Sequence, residues 1–392
     1  MLADPTVFHT AVIGAGAGGL FCAGSFDRHK IVLEQHEKIA QKLRVSGGGK
    51  CNFSNRFVSA KDYLSASPHF CKNALAAFGP RDFLRLLDEN RISYEERADG
   101  QLFAFDAGDI VRLLTARAKK ANTVLRTGTR VQEILQKDGL FILHTTRGTV
   151  RARHVVLATG GLSFPALGGG ISGTKIAQSL GFSVVAQRPA LCGFIFPKAL
   201  RERFCTLAGN SLRTEVKTGK TRFTGDLLFT HEGISGPAVL NLSLYWQEGQ
   251  EVFINFLPGK NAADLLYAQK NTARTFSAAL KNDLSPKITK TLLAPLPDNL
   301  ADAPKTVLTA AARALNAFSF IPDRTAGYTK AEVTAGGIDC AQINPHTMES
   351  KLLPCFYVIG EALDVTGRLG GFNLQWAWSS AAAAAQKLNI SF

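Results

Sequence analysis

The stretch His9–Gly19, H-T-A-V-I-G-A-G-A-G-G, admits few folds. Ala11, Val12 and Ile13 are small or branched apolar residues suited to a strand buried on both faces. Gly14, Gly16 and Gly19 then spell G-x-G-x-x-G, and Leu20-Phe21-Cys22-Ala23 opens a helix-like run. The first glycine allows the tight turn, the second lets a pyrophosphate approach the backbone, and the third lets helix and strand pack closely. The helix start turns its free N–H groups towards phosphate. A second apolar run, Ile31-Val32-Leu33, ends in Glu34, about 20 residues beyond Gly14, where an acid meets a ribose hydroxyl. Strand, glycine turn, helix, second strand and terminal acid coincide, which points to a bound dinucleotide. The motif's place at the very start favours FAD, by analogy with two-nucleotide flavoenzymes.

With 392 residues, the chain exceeds one small core, and two domains are expected, one interrupting the other. It is 46% hydrophobic and 19% charged, the balance of a soluble globular protein. No apolar run reaches the roughly 18–20 residues of a membrane span, so no membrane partner is expected. Met1–Pro5 lacks the basic and apolar regions of a signal peptide. The seven cysteines form no C-x-x-C pair, which suggests neither a metal site nor a disulfide framework. A reducing cytoplasm fits best, and a dithiol reductase is disfavoured. The net charge of +14 favours phosphate-bearing ligands. It is dispersed, without a long basic block or interleaved aromatic platform, so a small-molecule substrate is favoured over nucleic acid.

After Glu34 comes Gln41–Asn55, containing Gly47-Gly48-Gly49. Consecutive glycines support neither helix nor strand cheaply. Flanked by Lys42, Arg44 and Lys50, they suggest backbone laid against an anion or a flat ring, and the loop ends in Cys51-Asn52. Residues 68–92 read as helical, 101–105 as a strand, and Asp106 as the N-cap of a following helix. Between 124 and 161 the period changes to two, giving strands at 130–135, 140–145 and 150–158, a meander laid on a parallel sheet. Its last strand ends in Ala158-Thr159-Gly160-Gly161, where Thr159 and Gly160 would lie close to the cofactor. Gly168, Gly170 and Gly173 repeat G-x-G-x-x-G, but Pro165 interrupts the approach and Arg188 stands where an acid is required, so an ordered loop before a short helix is expected.

Residues 190–336 carry no dinucleotide fingerprint and read as an inserted mixed β/α substrate or cover domain, between FAD-binding segments 1–189 and 337–392. Within it, Gly225–Pro237 surrounds His231, a candidate proton donor that is also compatible with a satisfied turn histidine. The closing segment offers a strand at 355–359, Gly360-Glu361-Ala362-Leu363-Asp364, then Gly370-Gly371 before an Ala-rich helix. A carboxylate after the strand can accept from ribityl hydroxyls, and the helix N-terminus would stabilise negative charge on a reduced ring.

Together, Gly14–Gly19, Ser46–Asn52, Ala158–Gly161, Gly225–Pro237, Ala331–Gly337, Gly360–Asp364 and Gly370–Ala377 resemble the BaiN-like (YhiN-like) flavoproteins, a family described as NAD(P)/FAD-dependent oxidoreductases, almost end to end. The resemblance implies one non-covalent FAD in a Rossmann-type domain of the α/β class, interrupted by a covering insert. By position it implies FAD contacts from Ala15, Gly16, Glu34, Gln41, Lys42, Gly48, Val131, Glu361, Asn373 and Leu374, with Val131 acting through its backbone. Gly14, Gly19, Gly49, Lys50, Thr159 and Gly160 complete the expected cofactor set. Lys50 stands where the family usually has arginine, and keeps the charge without the bidentate fork. The Gly168–Gly173 loop also lacks an acid associated with the family.

The expected activity is hydride transfer from a reductant such as NAD(P)H, bound transiently, through FAD to a small organic acceptor. His231 and Cys51 are the candidate proton donors. An RNA-modifying flavoenzyme and a non-catalytic FAD-binding regulator are the alternatives. Substrate, nicotinamide preference and oligomeric state are not legible at this level.

Overall fold

The computed structural model describes residues 7–390. The chain forms two compact units, one built from the segment up to Pro189 together with that from Glu332 onwards, the other from Ala190–Ala331. The strand Val333–Ile338 spans the expected 336/337 boundary and pairs with Val184–Ala190.

The first unit is built on a sheet whose parallel part runs Thr123–Arg126, Lys30–Leu33, Val7–Ile13, Gly148–Leu157 and Phe356–Val358. Ala11, Val12, Ile31, Val32, Val155, Val156 and Leu157 have no exposed surface. Burial on both faces explains why these inner stretches are continuously apolar. Gly148–Leu157 serves two partners on one edge. Its first half pairs antiparallel with Leu140–Thr145, and its second half runs parallel to Phe356–Val358. The meander is therefore continuous with the parallel sheet rather than laid upon it, because its third strand is long enough to belong to both. A separate three-stranded sheet joins Asn52–Asn55, Gln101–Ala104 and Tyr94–Glu96.

The N-terminal helix Ala17–Ala23 packs against the C-terminal helix Phe372–Ile390. The latter is buried over most of its length, which its Ala-rich sequence permits at close range. The helical region expected at 68–92 divides into Lys72–Ala77 and Pro80–Glu89, because Gly79 interrupts it and Pro80 supplies the first position of the second helix. Asp106 caps Ala107–Lys120 by accepting from the Gly108 N–H at 2.8 Å.

The second unit is organised on an antiparallel sheet in the order Phe318–Phe320, Val252–Asn255, Ser211–Thr218, Thr221–Phe229, Gly233–Ser235, Phe194–Ile195, Arg324–Thr325. Its core is rich in phenylalanine, including Phe196, Phe204, Phe229 and Phe256. Among the described residues no helix is long and apolar enough to cross a membrane.

Candidate cofactor and active site

Gly14, Glu34, Thr159 and Glu361 each follow the carboxyl end of a parallel strand of the first unit, the end where open α/β sheets receive ligands. Gly14 leaves its strand at φ +107, and a Cβ there would stand 2.5 Å from the Ala158 carbonyl oxygen. At Gly19 it would stand 1.9 Å from the Gly14 oxygen. Both positions therefore exclude a side chain. Gly16 is different, since an added Cβ meets nothing within 4 Å, so its backbone faces open space at the helix start.

Glu34 ends the second strand and reaches back to this loop. One carboxylate oxygen accepts from the Ala15 N–H at 2.8 Å and the other from the His36 N–H at 3.0 Å. The Glu34 backbone also holds the segment leading to Val131, since its carbonyl accepts from Thr129 at 2.7 Å. Val131 itself is buried at the start of the strand Val131–Lys137. The Ala40 N–H donates to the Ala15 carbonyl at 3.0 Å, which brings the short helix Gln41–Val45 beside the glycine loop.

Lys42 projects from that helix into a polar knot. Its ammonium donates to Glu361 Oε2 at 2.7 Å and to Ser163 Oγ at 2.8 Å. Glu361 Oε1 accepts from Ser163 Oγ at 3.1 Å and from the Thr334 N–H at 2.8 Å. Thr334 Oγ1 in turn accepts from the N–H groups of Leu162 and Ser163. Burial pushes the Glu361 carboxyl upwards, but the Lys42 charge and these hydrogen bonds together outweigh it and hold the group below the usual carboxylate range. Gly160 lies next to the knot, where an added Cβ would stand 3.6 Å from Glu361 Oε2.

The triple glycine occupies left-handed backbone at φ +57, +68 and +88. An added Cβ at Gly48 or Gly49 would meet nothing within 4 Å, so this backbone too is open to a ligand. Lys50 is half exposed, 3.9 Å from Glu95. Gly370 and Gly371, at φ +121 and +92, bring the start of the C-terminal helix against Asn52–Ser54. The Asn373 amide is engaged locally, accepting from the Gly367 N–H at 2.8 Å and donating to its carbonyl at 2.9 Å. Asn373 and the neighbouring Leu374 stand in the first turn of the helix Phe372–Ile390, whose free main-chain N–H groups would be available to a ligand. The helix is fastened to the Glu361 turn, because Trp376 Nε1 donates to the Gly360 carbonyl and the Gly360 N–H donates to Ser380 Oγ, both at 3.0 Å.

These features fit the phosphates, ribose and ribityl chain of FAD. Gly16, Gly48 and Gly49 leave room that side chains would fill. The Thr159 hydroxyl is a buried polar atom with no protein partner. Glu34, Lys42 and Glu361 would supply the acceptors and the cation.

The two candidate proton donors differ in setting, one a core residue and the other exposed. Cys51 has no exposed surface and belongs to the hydrophobic core, where burial pushes its thiol up to about 12. Packing accounts for it better than proton transfer does. His231 is exposed at the tip of the hairpin between Thr221–Phe229 and Gly233–Ser235, in the second unit. The Gly168–Gly173 loop leads into the helix Ser172–Ser179 without a strand before it, and a Cβ added at Gly168 would stand 3.3 Å from the His36 ring. Ser163 and Thr334 were not signalled by any motif chemistry, although Thr334 falls within the distinctive Ala331–Gly337 segment. Among the described residues, no group of three or more His, Cys, Asp or Glu could hold a metal.

The sequence profile of a family described as HI0933-like protein Rossmann domain matches residues 8–387. The chain is 40% identical over 398 residues to the ribosomal RNA dihydrouridine synthase of Escherichia coli (strain K12), covering 97% of this chain and 98% of that protein. It is 29% identical over 399 residues to the 3-dehydro-bile acid delta(4,6)-reductase of Clostridium scindens, covering 94% and 96%. Among solved structures, 3-ketosteroid-delta4-(5alpha)-dehydrogenase from Rhodococcus jostii RHA1 shares the fold, with a TM-score of 0.50, 13% identity and 98% of each chain covered.

Proposed function

The chain belongs to the HI0933-like Rossmann family of FAD-dependent oxidoreductases, and from that premise we propose that it reduces a uridine of ribosomal RNA to dihydrouridine. The observation that carries the substrate is the 40% identity, nearly end to end, with a protein named for that reaction. The net charge of +14 supports a polyanionic substrate.

The chemistry is the saturation of one carbon–carbon double bond. The C5–C6 bond of uracil is conjugated with the C4 carbonyl, so C6 accepts a hydride and C5 then takes a proton. Bound FAD, reduced by NAD(P)H, would supply the hydride. The chain's own residues do the rest. The glycine loop at Gly14–Gly19 and the start of the following helix would take the pyrophosphate, and Glu34 the adenosine ribose. Glu361, held ionised by Lys42, would accept from the ribityl chain. The first turn of the C-terminal helix would place its positive end towards the ring and favour its reduced, negatively charged form. Neither Cys51 nor His231 is assigned the C5 proton. A second reading, a small organic acceptor, draws support from the bile acid reductase relative.

The test is anaerobic incubation of the FAD-loaded protein with NADH or NADPH and ribosomal RNA transcribed in vitro, followed by nucleoside mass spectrometry. Dihydrouridine that depends on reductant and protein is expected. Rapid flavin bleaching by NAD(P)H with no dihydrouridine would refute the RNA reading and favour the small-molecule one.

A further inference from the structure

We propose that the hairpin formed by Ser211–Thr218 and Thr221–Phe229 in the second unit is an RNA-docking arm that grips the phosphodiester backbone; the proposal rests on the RNA reading above. The strands pair without a register shift from Ser211↔Leu228 to Thr218↔Thr221, so the tip is a fixed, two-residue turn. Gly219 makes that turn at φ +53.

The tip concentrates cations. Lys217, Lys220 and Arg222 fall within six residues and are all exposed. Lys217 and Arg222 are direct cross-strand partners, so two like charges face each other across the ladder. Such a pair is destabilising in itself. Among the described residues no carboxylate comes within ion-pair distance of Lys217, Lys220 or Arg222. Other surface cations of the same unit do have acidic partners, such as Lys260 with Asp283 at 2.6 Å. The hairpin tip is thus an uncompensated positive site whose repulsion an external polyanion would relieve.

The face also carries an aromatic. Phe253 on the adjacent strand Val252–Asn255 is paired with Lys217, whose ammonium lies 6.0 Å from the ring centroid. A partly buried ring beside a row of cations is an arrangement that can track a sugar–phosphate chain while offering a base an edge to pack on. Farther along the same face, Arg213 is also exposed, but it stands opposite Asp226. Glu215, the next residue on that face, stands between Arg213 and Lys217, so acidic side chains accompany the cations away from the tip, while Lys217, Lys220 and Arg222 cluster at it.

The test uses the full-length, FAD-loaded protein with in vitro transcribed ribosomal RNA. The triple variant K217Q/K220Q/R222Q is compared with wild type and with a matched control, K119Q/K120Q/K137Q, which removes three exposed lysines of the first unit. Affinity is measured across a salt series. Each lost phosphate contact removes about 0.7 from the slope of log K against log salt for single-stranded RNA. The hairpin variant should therefore lose about 2 from the slope, with RNA affinity reduced at least tenfold at physiological salt. Its flavin should still be reduced by NAD(P)H at the wild-type rate, which shows that the fold and cofactor site are intact. The control should lose less than half as much slope. Equal slopes for wild type and hairpin variant would overturn the proposal while leaving the RNA reading standing. An equal loss in the control would also overturn it, by making the effect one of net charge. Wild-type protein that neither binds nor modifies RNA would instead overturn the RNA reading, and this proposal with it.

Discussion

Replacing Glu361 by glutamine tests whether the polar knot organises the cofactor site. The carboxylate accepts from Lys42, Ser163 and the Thr334 N–H. An amide keeps one acceptor oxygen, so at least one of these donors loses its partner, and an NH2 directed at Lys42 would oppose another donor at 2.7 Å. Removing one partner of a buried ion pair costs about 3–5 kcal/mol. Lys42 and Glu361 retain 30% and 21% side-chain exposure, so solvent screening reduces that to about 2–3 kcal/mol. For a unit of this size, such a loss lowers the melting temperature of the cofactor-free protein by about 5–10 °C. If Glu361 also holds the ribityl chain, the lost charge-assisted bond weakens FAD binding by about tenfold to a hundredfold. K42M should produce a similar loss, and the double variant should be less destabilised than the sum, with a coupling of about 2 kcal/mol. The pH dependence has a fixed sign. Because the folded carboxyl lies below its ordinary value, its contribution is present above that ordinary value and is lost as pH falls through the lower, folded one. E361Q should lack this acid-side loss. A cofactor-free E361Q that melts within about 1 °C of wild type, well inside the expected shift, and titrates FAD identically would refute the reasoning.

Two further substitutions probe other supports. Glu34→Arg removes the acceptor of the Ala15 and His36 N–H groups and puts a cation where a ribose is expected, so the purified protein should be colourless and fail to retain added FAD on gel filtration; stoichiometric yellow protein would count against it. Lys30 is fully buried and donates to the carbonyls of Phe26, Arg28 and Ala121, and burial lowers its ammonium to about 8. Between about pH 8 and its ordinary value near 10.5 the unfolded chain binds the extra proton, so stability should rise with pH across that window, by at most about 3 kcal/mol. Denaturant unfolding of K30M should lack this rise, and parallel pH profiles for the two proteins would rule out the assignment.

The parallel core was legible because its signals are local. Ala11–Ile13, Ile31–Leu33 and Val155–Leu157 are buried on both faces and read as apolar runs. The glycines of the first turn were legible because steric exclusion leaves no alternative residue, as the contacts at Gly14 and Gly19 demonstrate. The C-terminal helix announced itself through the two glycines before it. Boundaries were less legible wherever one residue decides them, as Gly79 does within the 68–92 region.

The polar knot belongs to a different class. Lys42, Ser163, Thr334 and Glu361 come from four separate segments, and no periodicity connects them. Lys42 and Glu361 could be named as separate cofactor contacts, but nothing local reveals that they hold each other. Ser163 and Thr334 have small hydroxyls of the kind found on any surface, and acquire meaning only where the ends of Gly148–Leu157 and Val333–Ile338 converge. Cys51 illustrates the reverse error. Its place beside three glycines and a lysine gave it the look of a reactive group, while its exposure, a tertiary property, makes it a core residue. Composition misleads in the same way at the Lys217–Arg222 tip. Counted along the chain, the positive charge is dispersed, yet a two-residue turn sets Lys217 and Arg222 face to face. Charge density relevant to a polyanion is therefore a property of strand register, which a search for contiguous basic blocks does not detect.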